Sequence, residues 1–488
     1  MKLTFDATPK ALAAADHLLV LAPKTAFGPR ARAAGALQKW LGTPLADLAH
    51  DLGAEASVGL LGGAATSRTP AGTRLPVGAL PDAVSRHNAP SRAESVRRLV
   101  AGSGVGGVEQ GAVLVIVDER EHALPVANAI GRALPLFTAK SGKPKERRLT
   151  AGLALASGAG VPVDAHAQAI VGRAREAARF VDMPPTELDP AAFAAAAKKL
   201  LKGVRGVAVR EFAGDALLRA KLGGIHAVGR CARSAPRLLV AQCGPARGPH
   251  VALVGKGVTY DTGGLHLKAR GAMETMKSDM GGAAATLGAF LALAAHRPSV
   301  RLSLLLCLAE NAIGPASYKP DDVLTLHSGK TVEINNTDAE GRLLLADGVS
   351  YAARVLGAGI VLDAATLTGA QGVATGDLHA AVVSNDEAIE QALLHAGRAT
   401  GDLCWPLPFA PEFYRSEFNS PIADMRNSVK NRSNAQSSCA AEFIHWHLDG
   451  TKARWGHVDL AFPAFRGDRG TGFGVALLAR AVELLARA

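Results

Sequence analysis

Cysteine and aromatic residues are scarce in this sequence, and no pair of cysteines has the CxxC spacing of a metal-binding motif. The 488 residues include 5 cysteines, an odd number, and these are widely scattered. This pattern argues for free thiols in a reducing compartment and against a zinc site made of thiolates. Aromatic residues make up only 5% of the chain, so Leu, Val and Ala must fill the hydrophobic cores.

The sequence shows no sign of a secretory or membrane segment. It begins with Met1 and Lys2, and no apolar run with a cleavage site follows them. The apolar stretches look strand-length, short of the ~20 residues that a membrane helix needs. The sequence therefore predicts a soluble, cytoplasmic protein that has no membrane partner.

Basic residues are concentrated in the first third of the chain. The net charge is +11, and residues 1–150 carry +7 of it, with 19 Lys+Arg against 12 Asp+Glu. A basic region of this kind is compatible with binding of nucleic acid or another polyanion. No aromatic platform or helix-turn-helix pattern accompanies it, so a solvated basic surface is favoured. A nucleic-acid-associated binding factor is kept as the alternative function.

The length and the alternation of strands and helices predict two α/β domains. Residues 1–150 are expected to form the smaller, non-catalytic domain, with a role in assembly or polyanion binding. Residues 151–488 are expected to form the catalytic domain, with a mixed, mostly parallel central sheet flanked by helices. Residues 61–78, rich in Gly, Pro, Ser and Thr, are predicted to be loops.

Two acidic residues stand out at a predicted strand-to-helix turn. The sequence NNTDAEGR, at residues 335–342, follows a strand-like run and precedes an apolar helical pattern. Such turns project side chains into clefts at the carboxyl ends of strands. Asp338 and Glu340 would repel each other unless a cation lay between them. Taken alone, the turn is equally compatible with a capped helix start.

Further charged residues occur upstream beside glycines. A predicted strand, residues 251–254, is expected to deliver Lys256 and Asp261 to a glycine-rich loop. Lys268 follows, and Asp279 stands before the next helical pattern. Carboxylates that each lie beside Gly or Ala favour a site for a hard cation over solvated surface charge.

These segments resemble the leucyl aminopeptidase family, which are cytosolic two-metal exopeptidases. The resemblance runs from about residue 178 to the end of the chain. It includes LAEN and ADGVSY elements that are similar to a "probable aminopeptidase-like" branch. The elements that carry it are VGKG at residues 254–257, DTGG at 261–264, DMGG at 279–282, LAEN at 308–311, NTDAEGR at 336–342 and ADGVSY at 346–351.

The resemblance implies a metal-dependent aminopeptidase with broad, leucine-like specificity that uses water activated by two metal ions. Zn²⁺ is the expected metal, with Mn²⁺ or Mg²⁺ exchangeable at one site. The implied ligands of one ion are Lys256, Asp261, Asp279 and Glu340, and those of the other are Asp261, Asp338 and Glu340. Lys256 must then be neutral, and without the resemblance an ion pair with the carboxylates is the simpler interpretation.

The resemblance also assigns catalytic roles to two cationic residues. Lys268 would polarise the scissile carbonyl, and Arg342 would hold a bicarbonate ion that moves the proton. The alternatives are a surface lysine and an ion pair of Arg342 with Asp338 or Glu340. Ala269 follows Lys268 where the family usually has proline, which leaves the geometry of that loop open.

Other residues of these segments would contact the substrate. Met276 would form the floor of the pocket for the first residue, because thioethers adapt to varied apolar side chains. Core packing is nearly as good an explanation for it. Asn336, Thr366 and Leu367 are expected to border the same pocket. The family further implies a homohexamer, and a metal-dependent phosphoesterase is a weaker alternative function.

Overall fold

The molecule is described here by a computed structural model that covers residues 1–12, 15–28, 31, 34–69, 72–142, 145–296 and 298–487. By their contacts these residues form two units, Met1–Arg175 with Gly397–Gly401, and Glu176–Ala396 with Asp402–Ala488. The domain boundary that the sequence suggested, residue 150, falls inside a strand of the first unit, Arg148–Leu155.

The first unit is built on one six-stranded sheet. Its strands are β1 (Lys2–Phe5), β2 (His17–Pro23), β3 (Gly63–Arg68), β4 (Arg74–Leu80), β5 (Gln110–Val117) and β6 (Arg148–Leu155), and its helices are α1 (Ala34–Leu41), α2 (Thr43–Glu55), α3 (Ala93–Ser103) and α4 (Ala123–Arg132). The strand order is β1-β6-β5-β2-β4-β3, and only β3 runs antiparallel to its neighbour. β2 and β5 are buried along nearly their whole length, as their continuous apolar sequences predict for central parallel strands.

The rest of the chain forms a larger set of elements. Its helices are α5 (Ala165–Asp182), α6 (Pro190–Lys202), α7 (Asp215–Arg219), α8 (Gly223–Gly229), α9 (Gly281–Ala295), α10 (Gly341–Arg354), α11 (Gly369–Thr375), α12 (Glu387–Thr400), α13 (Pro411–Tyr414), α14 (Gln436–Trp446) and α15 (Val475–Leu485). Its longer strands are β7 (Ala208–Ala213), β8 (Arg237–Cys243), β9 (His250–Asp261), β10 (Arg301–Asn311), β13 (Ile360–Ala365), β14 (Ala380–Ser384) and β17 (Arg454–Asp459). Its short strands are β11 (Val323–Thr325), β12 (Thr331–Glu333), β15 (Cys404–Pro406), β16 (Met425–Arg426), β18 (Phe465–Arg466) and β19 (Arg469–Gly470).

The central sheet of the second unit has eight strands in the order β15-β14-β17-β13-β9-β10-β8-β7. β9 lies in its middle and pairs in parallel with β13 on one side and β10 on the other. The strands β14 and β17, β10 and β8, and β8 and β7 pair antiparallel. The mixed, mostly parallel sheet expected from the sequence is therefore confirmed, and its centre is the strand that carries Lys256 and Asp261.

Residues 61–78 are not loops, as the sequence suggested, but lie mostly in a β-hairpin. β3 and β4 pair antiparallel from Gly63 opposite Ala79 to Arg68 opposite Arg74. The sequence GAATSR of β3 has small and polar side chains, so it lacks the apolar alternation that predicts a strand. Pairing with the buried β4 stabilises it instead.

The strand β9 is also longer than its apolar pattern indicated. The sequence suggested that it ends at Val254 and that a glycine-rich loop follows, but pairing with β10 continues to Asp261. The glycines allow the helix α9 to lie directly on the sheet. A Cβ atom on Gly255 would lie 2.5 Å from Ala283 Cα, and one on Gly282 would lie 2.0 Å from Ala364 O.

The expectation that apolar runs are only strand-length was wrong. The segment Met276–Ala295 is long and apolar enough to cross a membrane by length and composition. Nearly all of it is buried inside the protein, and α9 packs on β9, β10 and β13. A helix that is surrounded by other elements has no polar face, so core packing accounts for this composition.

The close contact at Gly282 predicts a large cost for a single methyl group. We expect Gly282→Ala to lower the free energy of unfolding by about 3 kcal/mol, because the Ala364 carbonyl must move to admit it. Gly172→Ala is the matched control, since Gly172 lies in α5 with no heavy atom within 4 Å of an added Cβ. Its effect should stay within about 1 kcal/mol, in the stabilising direction. Urea unfolding measures both, and equal stabilities would contradict this account of the helix contact.

Candidate active site

Three separate segments of the second unit bring charged side chains into one cavity. Lys256 and Asp261 lie on the central strand β9, and Asp279 lies two positions before the start of α9. Asp338 and Glu340 lie in the turn between β12 and α10. The cavity has a volume of about 820 Å³, within the range of ~300–1,000 Å³ that encloses small ligands.

Every site residue that the sequence predicted lines this cavity. They are Lys256, Asp261, Lys268, Met276, Asp279, Asn336, Asp338, Glu340, Arg342, Thr366 and Leu367. Segments up to 111 positions apart in the sequence therefore contribute side chains to one cavity. What the structure adds is the set of contacts among them.

The amine of Lys256 is buried between two carboxylates. Its Nζ lies 2.7 Å from Asp279 Oδ1 and 3.0 Å from Glu340 Oε1. Burial opposes the charged form, but the carboxylates outweigh it and raise the pKa of Lys256 well above its usual value. Lys256 therefore lies within ion-pair distance of both Asp279 and Glu340.

A second lysine bridges the other two carboxylates. Lys268 Nζ lies 2.7 Å from Asp261 Oδ2 and 2.5 Å from Asp338 Oδ1. Although burial opposes it, Asp261 and Asp338 raise the pKa of Lys268 above its usual value. Lys268 is therefore a charged member of the site and not a solvated surface lysine.

Burial and mutual repulsion disfavour the charged forms of the carboxylates. Burial, followed by the charges of Glu340 and Asp261, raises the pKa of Asp279, although Lys256 opposes the shift. Burial and the nearby Asp261 also raise the pKa of Glu340 and that of Asp338. A low-dielectric site with this many like charges needs more positive charge than two lysines supply.

Two observations show that the site fits divalent metal ions. Asp261, Asp338 and Glu340 each offer an oxygen atom within 4.8 Å of the others. Asp279 Oδ2 is buried and accepts no hydrogen bond from the described residues, and such an atom is costly unless a cation or water completes it. Hard oxygen ligands at this spacing suit Zn²⁺, Mn²⁺ and Mg²⁺.

Arg342 lies partly buried in the wall of the cavity. Its Nη1 donates a hydrogen bond to Asn427 O at 3.0 Å, while its Nε has no partner among the described residues. Burial lowers the pKa of Arg342 to about 10, which still leaves it protonated at neutral pH. The structure shows no ion pair of Arg342 with Asp338 or Glu340, the alternative that the sequence left open.

The neighbouring loop after β13 supports the charged residues. Thr366 Oγ1 donates to Asp279 Oδ1 at 2.9 Å, and Lys256 Nζ donates to Thr366 O at 2.8 Å. Leu367 N donates to the buried Asp459 Oδ1 at 3.1 Å. This loop therefore holds Lys256 and Asp279 in position by hydrogen bonds, and it also forms one edge of the cavity.

Asn427 supports the site, although no pattern in the sequence indicated it. Its Oδ1 accepts hydrogen bonds from the backbone of Asn335 and Asn336, and its Nδ2 donates to Asn336 O and Ala339 O. The buried amide therefore holds the turn that carries Asp338 and Glu340. No motif surrounds Asn427 in the sequence, and the contacts span 88 to 92 positions, so nothing local could have indicated them.

Asn311 supports the site in a similar way. Its Nδ2 donates to Asp261 Oδ1 at 2.8 Å and to Thr337 O at 3.1 Å, so it links β9 to the acidic turn. One sequence feature pointed to Asn311, because it is the last residue of the LAEN element and of the strand β10. Its partners became apparent only in the structure.

Comparisons with known proteins consistently point to aminopeptidases. The model of the cytosol aminopeptidase family, catalytic domain, matches residues 175–479, and that of M17 aminopeptidase N-terminal domain 2 matches residues 51–143. The chain is 46% identical over 413 residues to probable aminopeptidase NPEPL1 of Homo sapiens, covering 82% of this chain and 78% of that one. It is 40% identical over 424 residues to leucine aminopeptidase 1 of Caenorhabditis elegans, covering 84% of this chain and 85% of that one.

Solved structures resemble the whole chain. The apo leucyl aminopeptidase of Trypanosoma cruzi has a TM-score of 0.89 and 38% identity, covering 98% of this chain and 96% of that one. The leucyl aminopeptidase of Trypanosoma brucei in complex with bestatin has a TM-score of 0.89 and 36% identity, covering 99% of this chain and 95% of that one.

The contacts of Asn427 predict that its loss weakens metal binding. We expect Asn427→Ala to lower the affinity for divalent metal ions by ~10–100-fold, as the loss of residues that orient metal ligands usually does. The affinity is measured by titration calorimetry of the metal-stripped protein with Mn²⁺.

Asn431→Ala provides the control, because Asn431 lies in the same segment, is exposed and accepts a hydrogen bond from Ser433 N. It should bind Mn²⁺ like the wild type. If Asn427→Ala also does so, the amide does not hold the turn.

Proposed function

Because the chain belongs to the cytosol aminopeptidase family and is thereby a metal-dependent aminopeptidase, we propose that this cavity is its active site. It releases N-terminal amino acids of leucine-like character from peptides, with broad specificity. The observation that carries this proposal is the convergence of four acidic side chains from three segments on one cavity, with two lysines among them.

In this proposal the carboxylates are shared between two metal positions. The proposed ligands of one ion are Lys256, Asp261, Asp279 and Glu340, and those of the other are Asp261, Asp338 and Glu340. Zn²⁺ is the proposed metal, with Mn²⁺ or Mg²⁺ exchangeable at one position. When bound, the pair supplies a water molecule of lowered pKa and positive charge for the oxyanion.

The protein's own residues prepare the substrate for attack. In this proposal Asp279 and Glu340 accept the positive charge of the metals in place of the Lys256 proton, so that the amine can serve as a neutral ligand. Lys268, which reaches Asp338 at 2.5 Å, stays cationic and polarises the scissile carbonyl. Both roles need a water-poor site, and burial of Lys256 and Glu340 supplies it.

Arg342 is the proposed holder of a bicarbonate ion. Its Nε is buried without a partner among the described residues, and a small planar anion would satisfy it. The bicarbonate would accept a proton, a role that the guanidinium cannot take because it stays protonated. The hydrogen bond from Arg342 Nη1 to the carbonyl of Asn427 holds the guanidinium in place.

The apolar part of the cavity would receive the first side chain. Met276, Asn336, Thr366 and Leu367 all line the cavity, and a flexible thioether accommodates different apolar side chains. Location in the cytoplasm and a homohexameric assembly are also proposed. Relatives named cytosol aminopeptidases support the first, and only the family resemblance supports the second.

The peptidase assignment is tested by hydrolysis of a panel of aminoacyl-amides. After chelation the protein should be inactive, and Mn²⁺ or Zn²⁺ should restore cleavage, most strongly for leucine-like residues. A panel of phosphate esters, run in parallel, should show no turnover. Turnover of phosphate esters with no cleavage of any amide would overturn the proposal in favour of a phosphoesterase.

Removal of either turn carboxylate should abolish cleavage. Asp338→Ala and Glu340→Ala are each expected to lower kcat/KM for Leu-p-nitroanilide by at least ~10³-fold, the order of loss for a group that stabilises the transition state. Glu274→Ala serves as the control, since Glu274 is exposed and lies outside the cavity lining. Full activity in either cavity variant would end the proposed mechanism.

The proposed assembly has its own measurement. Sedimentation velocity of the purified protein should give a species of six chains, and each chain has a mass of 50.2 kDa. A monomer at micromolar concentration would refute the hexamer and leave the catalytic proposal in place.

A further inference from the structure

His266 is a cavity residue to which neither the metal site nor the proposed mechanism gives a role. It lies in the loop that follows β9, two positions before Lys268, and its side chain is exposed. It lines the same cavity as Lys268 and Asp338. An exposed histidine on a loop is usually solvated and has no specific role. The hydrogen bonds of His266 indicate whether it has a structural or binding role.

The histidine makes a reciprocal pair of hydrogen bonds with Thr337, the residue before Asp338. Thr337 N donates to His266 Nδ1 at 3.0 Å, and His266 N donates to Thr337 Oγ1 at 2.7 Å. The hydroxyl of Thr337 in turn donates to Gly263 O at 2.7 Å. These bonds join the loop that carries Lys268 to the turn that carries Asp338 and Glu340.

This pairing fixes the tautomer of the imidazole. A backbone N–H can only donate, and the proton of the Thr337 hydroxyl is already committed to Gly263. His266 Nδ1 must therefore be the unprotonated nitrogen, and the proton of the neutral ring sits on Nε2. No described residue forms a hydrogen bond with Nε2, so the cavity has a free neutral donor on a ring that Thr337 holds in place.

We propose that His266 is a substrate-positioning residue with two separable tasks, and this proposal rests on the proposed peptidase function. Its Nδ1 ties the two loops of the metal site together. Its Nε2–H donates a hydrogen bond to a backbone carbonyl of the bound peptide beyond the scissile bond. A neutral donor suits such a carbonyl, whereas Lys268 and the metal ions attract the carbonyl that reacts.

The proposed hydrogen bond from Nε2 determines which substrates should benefit from it. A peptide has a carbonyl after the scissile bond, and a simple aminoacyl-amide has none. Leu-Gly-amide should therefore gain from Nε2, while Leu-amide should not. The measured quantity is the ratio of kcat/KM for Leu-Gly-amide to that for Leu-amide, which cancels effects common to both substrates.

Two substitutions separate the tasks, because each keeps one nitrogen position of the ring. His266→Asn keeps an acceptor near Nδ1 and removes the donor at Nε2, so it should lower the substrate ratio by about tenfold, the worth of one hydrogen bond. His266→Gln keeps a donor near Nε2 and removes the acceptor. It should keep the ratio and lower the affinity for Mn²⁺ by ~10–100-fold in calorimetry, since the turn loses its tie.

His395→Asn is the matched control, an identical exchange at an exposed histidine of α12. It should change neither quantity. An unchanged substrate ratio in His266→Asn would overturn the donor role, and unchanged Mn²⁺ affinity in His266→Gln would overturn the tie. Failure of the wild type to cleave either substrate would instead overturn the peptidase function, and this proposal with it.

Discussion

Repulsion among four carboxylates is the constraint on which the architecture of this site depends. Asp261, Asp279, Asp338 and Glu340 share one largely buried cavity, and burial raises the pKa of the last three. Each additional negative charge in such a place costs more than in water. Cations must therefore enter with the carboxylates, and two lysines and the metal ions of the family meet that need.

The backbone around the cavity is shaped to keep these groups close. Glycine at positions 255 and 282 lets α9 rest directly on the sheet, which brings the start of the helix and Asp279 beside Lys256. Gly341 also allows a close contact, since a Cβ atom there would lie 2.4 Å from Lys256 Cε. Small residues beside charged ones are thus a packing requirement of the site.

The sequence predicted the charged residues of the site better than it predicted the backbone around them. The acidic positions stand in short motifs, so their grouping was accessible from a family resemblance. The hairpin formed by β3 and β4 was missed because its first strand has small, polar side chains, and the end of β9 was missed because its glycines resemble a loop. Both elements are stabilised by strands distant in sequence, which no local pattern contains.

The same limit explains why the supporting amides and the imidazole were missed. Asn311, Asn427 and His266 act through the backbone of the acidic turn, from 26 to 92 positions away. Their contacts come from three different segments, so the turn is held from several sides before any metal ion binds. Because such a turn is already ordered, it loses little conformational entropy when a metal ion binds. This preorganisation raises the metal affinity without stronger ligands. The fixed conformation of the acidic turn therefore makes the site suitable for metal ions as much as its negative charge does.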